Sequence, residues 1–293
     1  MLYQSDVQPG IKNLIICNCV MVLVCVIFQQ AQQIDLFDTL ALHSPDSPLF
    51  RPWQFLTSTF LHGNASSPYI NVQHTLMHLL FNMLGLFFFG RILERMWGTA
   101  FFLAFYLAAG IIASACHAAA LHYEHSILLQ GVAEFSQNST WAQFNELLNK
   151  HPQIRVPTDS ATEFFSDLRA AWSEQPQDMQ YAQHAKTSLH TFLYGSSEGY
   201  AGYLNGKTVG ASGAVMGVLA AFAYLFPNTT LFVGFIFPMK AKYFIALYAA
   251  GELFYSWRNI AGDNVAHIAH LGGMAAGFII VILWNKFNKK TFY

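Results

Sequence analysis

The chain has 293 residues, of which 54% are hydrophobic, 16% aromatic and only 11% charged, whereas about a quarter of the residues in a soluble domain are charged. That balance belongs to a membrane protein. A net charge of -1 excludes a global basic field for nucleic acid, and the length excludes a large multidomain receptor.

The charges are unevenly placed, and stretches 13–34, 52–90, 96–123, 208–239 and 264–285 hold no Asp, Glu, Lys or Arg. A span needs roughly 20 apolar residues, so these stretches predict spans. Span one covers about 12–29. Its apolar run, Ile11 to Phe28, is followed by Gln29, Gln30, Ala31, Gln32 and Gln33 without a small-x-small cleavage site, which reads as a retained anchor. Residues 30–72 carry Pro45, Pro48, Pro52 and Pro68 and are too interrupted to cross a bilayer. They are expected at the interface, with Trp53, Phe55, Phe60 and Tyr69 at headgroup depth. Span two covers about 74–91 and span three about 99–120, joined by a short loop from Arg91 to Gly98. Residues 121–207 hold nine acidic and five basic side chains and helix-like runs at Trp141 to Leu148 and Thr162 to Trp172, so they read as a water-exposed insertion. Spans four, five and six follow at about 209–226, 241–257 and 265–285. The domain reading is 1–120 for the first three spans with their interfacial loop, 121–207 for the insertion, and 208–293 for the last three spans and a short tail. Cys17, Cys19, Cys25 and Cys116 all fall in apolar stretches and indicate no disulfide framework.

Lys and Arg near span ends set orientation. One side collects Lys12, Arg91, Arg95, Lys240, Lys242, Lys286, Lys289 and Lys290, and the other keeps Arg51, Lys207 and Arg258. Both termini are therefore expected in the cytoplasm and the insertion outside it.

Polar residues at membrane depth are costly and mark sites. Span two carries His74, His78 and Asn82, four residues apart and so on one helical face. Span four starts with Gly210-Ala211-Ser212-Gly213, a hydroxyl among residues too small to cover it. Span six starts with His267 and His270, again on one face. Taken singly, each cluster has a packing explanation, since Gly213-xxx-Gly217 and Gly273-xxx-Gly277 are small-xxx-small patterns. Together they suit nucleophilic catalysis: a serine needs an imidazole to take its proton, and the oxyanion that follows needs aimed donors. With no carboxylate in spans two, four or six, the expected arrangement is a Ser-His dyad with an imidazole held by packing. The Gly-x-Ser-x-Gly elbow of soluble hydrolases is not matched.

His78-Leu-Leu-Phe-Asn82-Met-Leu-Gly, Gly90-Arg-Ile-Leu-Glu94-Arg-Met-Trp-Gly98, Gly210-Ala-Ser212-Gly213-Ala-Val-Met-Gly217 and Ala269-His270-Leu-Gly-Gly273-Met-Ala-Ala-Gly277 closely resemble the rhomboid intramembrane serine proteases, over roughly 50–120 and 208–285. The resemblance implies an all-α six-transmembrane-helix bundle around a water-filled cavity, here with an extracytoplasmic insertion between helices 3 and 4. It also implies an endopeptidase that acts on transmembrane protein substrates within the lipid bilayer and needs no cofactor or metal. In it Ser212 is the nucleophile, His270 the base, and His78 and Asn82 serve the oxyanion beside the Ser212 backbone N–H. His267, one turn nearer the water, and Met216, in the serine motif, flank the pair. The expected location is a bacterial inner membrane. Three departures stand out: the lengthened approach from Asn64 to Gln73, Trp53-Gln54 in place of Trp-Arg, and the long insertion.

Gly273 and Gly277 follow His270 by three and seven residues and share its face, letting span six approach span four. From His267 the same positions are His270 and Met274, which are bulkier. His270 is therefore the expected base. A metalloprotein built on His74-xxx-His78 and His267-xx-His270 has no use for Ser212 in its glycine frame. A non-catalytic helix-binding relative predicts a lost nucleophile or base, and both are present. A transporter predicts an internal repeat, and none is detectable.

Overall fold

The computed structural model describes residues 8–32, 35–63, 71–155, 161–195, 202–233, 236–258 and 266–288. Tyr69, Lys289, Lys290 and the 64–70 part of the lengthened approach lie outside these residues. The described chain is almost wholly helical.

Helix α1 (Pro9–Gln32) is apolar on every face. Its N-terminus is held by Glu94, whose carboxylate accepts from the amides of Gly10 at 2.8 Å and Ile11 at 2.9 Å and from the Thr99 hydroxyl at 2.7 Å. A helix start presents unpaired N–H groups and a positive dipole end, so a buried carboxylate there satisfies both partners. After α1 come the short helix α2 (Phe37–Leu40), strand β1 (Leu42–His43) and the short helix α3 (Gln54–Thr57), which runs into a 3-10 turn over Ser58–Phe60. Gln54 is the node of this interfacial segment. It is fully buried, its Oε1 accepts from the amides of His43 and Arg51, and its Nε2 donates to the carbonyl of Leu49. Glutamine thus organises the segment from inside, while the exposed Trp53 donates its Nε1–H to the Thr39 carbonyl.

Helix α4 (Val72–Gly85) starts at Asn71, whose side chain accepts from the His74 amide. It continues through a π-helical turn (Leu86–Gly90) into α5 (Arg91–Trp97). The expected loop from Arg91 to Gly98 is therefore helix, because Leu93 and Glu94 are buried, and the chain turns only at Gly98, with φ of 80°. Helix α6 (Thr99–Gln137) has 39 residues, roughly 58 Å at 1.5 Å per residue. It does not stop near 120, as expected from the onset of charge, since no Gly or Pro breaks it there and its far end packs on a second core.

That second core is formed by α6 with α7 (Trp141–Lys150), α8 (Ala161–Glu174) and α9 (Met179–Tyr194). Leu128, Phe135, Phe144, Leu147, Phe165, Trp172, Leu189 and Phe192 are all buried in it. Strand β2 (Lys207–Thr208) then pairs antiparallel with β1. Helix α10 (Ser212–Leu225) is the centre of the membrane core, with residues 213–215 and 217–223 buried. The hairpin β3 (Thr230–Val233) and β4 (Phe237–Lys240) leads to α11 (Ala241–Arg258), and α12 (His267–Asn288) closes the bundle against α10 and α6.

Four helical stretches, Pro9–Gln29, Val72–Trp97, Thr99–Gln137 and His267–Phe287, are long and apolar enough to cross a membrane, and Ser212–Leu225 is a shorter apolar helix. Ile16, Leu23, Leu76, Phe81, Leu247, Trp257 and Ile279 are exposed on the outer faces, as lipid contact requires. This is an all-α, multi-pass membrane protein.

Candidate active site

Ser212 is the first residue of α10, and the segment before it is held from three directions. Gly210, at φ of 139°, donates its N–H to the Ser58 carbonyl at 3.0 Å. A side chain at Gly210 would meet the His78 ring and the Ser212 hydroxyl, each at 3.2 Å. Thr208 accepts or donates at 2.9 Å to His117 Nε2. Lys207 forms ion pairs with Asp35 at 2.5 Å and Asp38 at 2.7 Å. Burial opposes the Lys207 charge, but the two carboxylates outweigh it and hold its pKa above the ordinary value. Small residues alone leave a hydroxyl uncovered. Here strand pairing and ion pairs also fix where it points.

The glycines bring α12 onto α10. Gly273 lies against the carbonyl of Gly213 and Gly277 against that of Gly217, with no room for a Cβ at either position of α12. Ser212 Oγ and His270 Nε2 come within 2.8 Å. His270 is buried, and its Nδ1 lies 2.9 Å from Glu252 Oε1 on α11. The other oxygen, Oε2, is 2.5 Å from His267 Nδ1. The imidazole is therefore not held by packing alone. Glu252 lies on span five, outside the three spans that carry polar clusters, and so falls outside the expected dyad. The available signal was a lone carboxylate in the middle of an apolar span, with Tyr248 four residues before it.

On α4, the His78 ring stands beside Gly210, as the Ser212 hydroxyl does, and its Nδ1 takes a long hydrogen bond, 3.5 Å, from the Gly63 amide. An Nδ1 that accepts puts the proton of a neutral imidazole on Nε2, making that nitrogen a donor. Asn82 is buried, and its Nδ2 donates to the His78 carbonyl at 3.0 Å. His74 is exposed one turn earlier, its ring centroid 6.1 Å from that of His78. Buried His62 packs edge-on against His78 at 5.1 Å. Met216 is half-buried one turn below Ser212. A cavity of about 20 Å3 lined by Ser58, Ser114, His117, Thr208 and Ser212 adjoins the hydroxyl. Its lining mixes these polar groups with apolar residues such as Leu42 and Val209, and it is large enough for one water molecule.

Serine, imidazole and carboxylate thus stand in hydrogen-bonded series inside a multi-pass membrane bundle. Residues 181–287 match the rhomboid domain, and residues 12–135 match a family described as a eukaryotic integral membrane protein. The first match contains Ser212, Glu252, His267 and His270, the second His78 and Asn82, and 136–180 falls in neither. The chain is 37% identical over 79 residues, 25% of its length, to rhomboid protein 1, mitochondrial, of Saccharomyces cerevisiae. It is 36% identical over 84 residues, 27% of its length, to an uncharacterized mitochondrial rhomboid protein of Schizosaccharomyces pombe. Each match spans 21% of the relative's own length. Over residues 181–287 the chain is thus similar to the rhomboid family, and it spans about a fifth of the length of the curated relatives it matches.

The same findings correct the expected location. A bacterial inner membrane does not agree with a eukaryotic family description and two mitochondrial relatives, which point to a eukaryotic mitochondrial membrane. Span length and the Lys/Arg bias carry no signal for this distinction, since both follow from bilayer physics common to either membrane.

Proposed function

We propose that the protein is an intramembrane serine endopeptidase that cuts transmembrane helices of other proteins. The observation that carries this reading is the 2.8 Å contact between Ser212 Oγ and His270 Nε2 at membrane depth. In the reaction, His270 Nε2 takes the hydroxyl proton as Oγ bonds to the scissile carbonyl carbon. Collapse of the tetrahedral intermediate breaks the C–N bond, and the same proton passes to the leaving amine. Water then repeats the sequence on the acyl-enzyme. The negative oxygen is served by the first-turn amide of α10 and the His78 Nε2–H, with Asn82 turning its amide from the His78 carbonyl toward it.

We read six spans: α1, α4 with α5, α6, α10, α11 and α12. Helix α10, with 14 residues, is roughly 21 Å long, short of the roughly 30 Å hydrocarbon core. A water-filled cavity above Ser212 makes up the difference. Residues 1–120 and 208–293 form the bundle, and 121–207 is an insertion on the face where the cavity opens. The substrate is a single membrane-spanning helix cut near that face. A helix hides its peptide bonds in its own hydrogen bonds, so cleavage needs local unwinding, which Gly, Pro or Ser near the cut favours. The mitochondrial membrane of the yeast relatives is the setting we infer.

The test is cleavage of a single-span substrate in liposomes by wild type and by Ser212→Ala. Wild type is expected to cut, EDTA to have no effect, and the variant to be inactive while folded. Cleavage by Ser212→Ala within a few-fold of wild type, or metal-restored activity after EDTA, contradicts the reading.

A further inference from the structure

We propose that Glu252 is a positioning residue for His270, so that the reactive series is Ser212–His270–Glu252, with His267 as the second clamp on the same carboxylate. The inference rests on the protease reading above and deepens it.

Helix α11 is otherwise turned to lipid: Tyr243, Leu247, Leu253, Phe254 and Trp257 are exposed, and Glu252 is its buried ionisable residue. A carboxylate at membrane depth is costly, so its retention calls for partners. Glu252 has them on both oxygens. Oε1 faces His270 Nδ1 at 2.9 Å and Oε2 faces His267 Nδ1 at 2.5 Å, while the Tyr248 hydroxyl, one turn earlier, supplies a third hydrogen bond. The His267 ring is in turn stacked on Tyr255, at 5.7 Å and 14°. Two rings and a hydroxyl leave the carboxylate one orientation.

Two chemical consequences follow. A carboxylate only accepts hydrogen bonds, so the imidazole hydrogen of His270 sits on Nδ1 and the lone pair of Nε2 faces the Ser212 hydroxyl. Without the carboxylate, the neutral ring is free to carry its hydrogen on Nε2, where it cannot accept the serine proton. Once the proton has moved, His270 is a cation buried among uncharged helices, and an adjacent negative charge stabilises it in a low dielectric. The other titratable groups facing His270 are imidazoles, His78 from α4 and His117 from α6, with His267 one turn away on α12. None of these offers a negative charge.

A purely structural role, tying α11 to α12, uses the same bonds, so the test must separate charge from tethering. Full-length protein in liposomes is compared as wild type, Glu252→Gln, Glu252→Asp and Glu252→Ala, reading kcat, KM, the pH profile and Tm. Glu252→Gln keeps the shape and one acceptor oxygen but loses the charge and turns the other oxygen into an N–H donor. It is expected to lower kcat by about 100-fold or more, leave KM within about two-fold, keep Tm, and move the acid limb of the pH profile to lower pH. Glu252→Asp is expected to recover part of the loss. Full activity in Glu252→Gln, or a loss matched by lowered Tm with the acid limb unmoved, overturns the proposal. If Glu252→Ala does not fold, Glu252→Gln still decides. Failure of the protease reading itself shows separately, as a wild type that cuts nothing.

Discussion

The carbonyl oxygen of Gly213 lies against the Cα of Gly273, one residue past Ser212 and one turn past His270. This backbone contact sets the distance between hydroxyl and imidazole. Gly273→Val is expected to force the helices apart, lowering stability by more than about 3 kcal/mol and abolishing activity. Gly251→Ala is the control: nothing lies within 4 Å of a Cβ there, so stability should hold or rise by about 0.5–1 kcal/mol. Equal thermal melts for the two variants would remove the close approach from the account.

Glu94 is buried, with two amides of α1 and the Thr99 hydroxyl as partners. Glu94→Ala is expected to cost about 2 kcal/mol through two orphaned helix-start donors, while Glu94→Gln, which keeps an acceptor, costs less. Thermal unfolding in detergent reads both. An Ala variant as stable as wild type contradicts the capping role.

Much of this fold was legible in the sequence because charge is excluded from lipid. The charge-free stretches contain α4 and α10 and most of α1 and α12, and the spacing of Gly273 and Gly277 points to the α10–α12 contact. What was not legible depends on contacts distant along the chain. The two-residue strands β1 and β2 pair across the whole insertion, and no local pattern announces so short a ladder. The continuation of α6 past 120 depends on a second core whose residues come from four helices. His267 reads from sequence as facing water, yet its Nδ1 is bound to Glu252, since only the tertiary fold brings α11 beside α12.

His62 makes the structure acid-sensitive. Burial first, and then the neighbouring His78 imidazole, push its pKa from 6.5 to about 3. Between those values the unfolded chain binds the proton that the folded chain refuses, so stability falls as pH falls through that window. His62→Phe removes this contribution, and its Tm should drop less than that of wild type between pH 7 and pH 4. Parallel Tm curves for the two proteins contradict the assignment.

Trp172 fills the second core, 1% exposed and in ring contact with Phe135, Phe144 and Tyr181. Trp172→Ala is expected to destabilise that core by about 3–5 kcal/mol, read as faster proteolysis within 138–195. Reaction of Ser212 with a phosphonate probe should persist, because no proposed site residue lies in the insertion. Loss of probe reaction in step with insertion unfolding would make the insertion part of the active site.

The most direct measurement is labelling of the membrane-embedded protein by a fluorophosphonate, with the modified residue mapped by mass spectrometry in wild type, His270→Ala and His267→Ala. The account predicts one adduct, on Ser212, absent in His270→Ala and retained at a measurable fraction in His267→Ala. An adduct elsewhere, or labelling that survives in His270→Ala and disappears in His267→Ala, contradicts it.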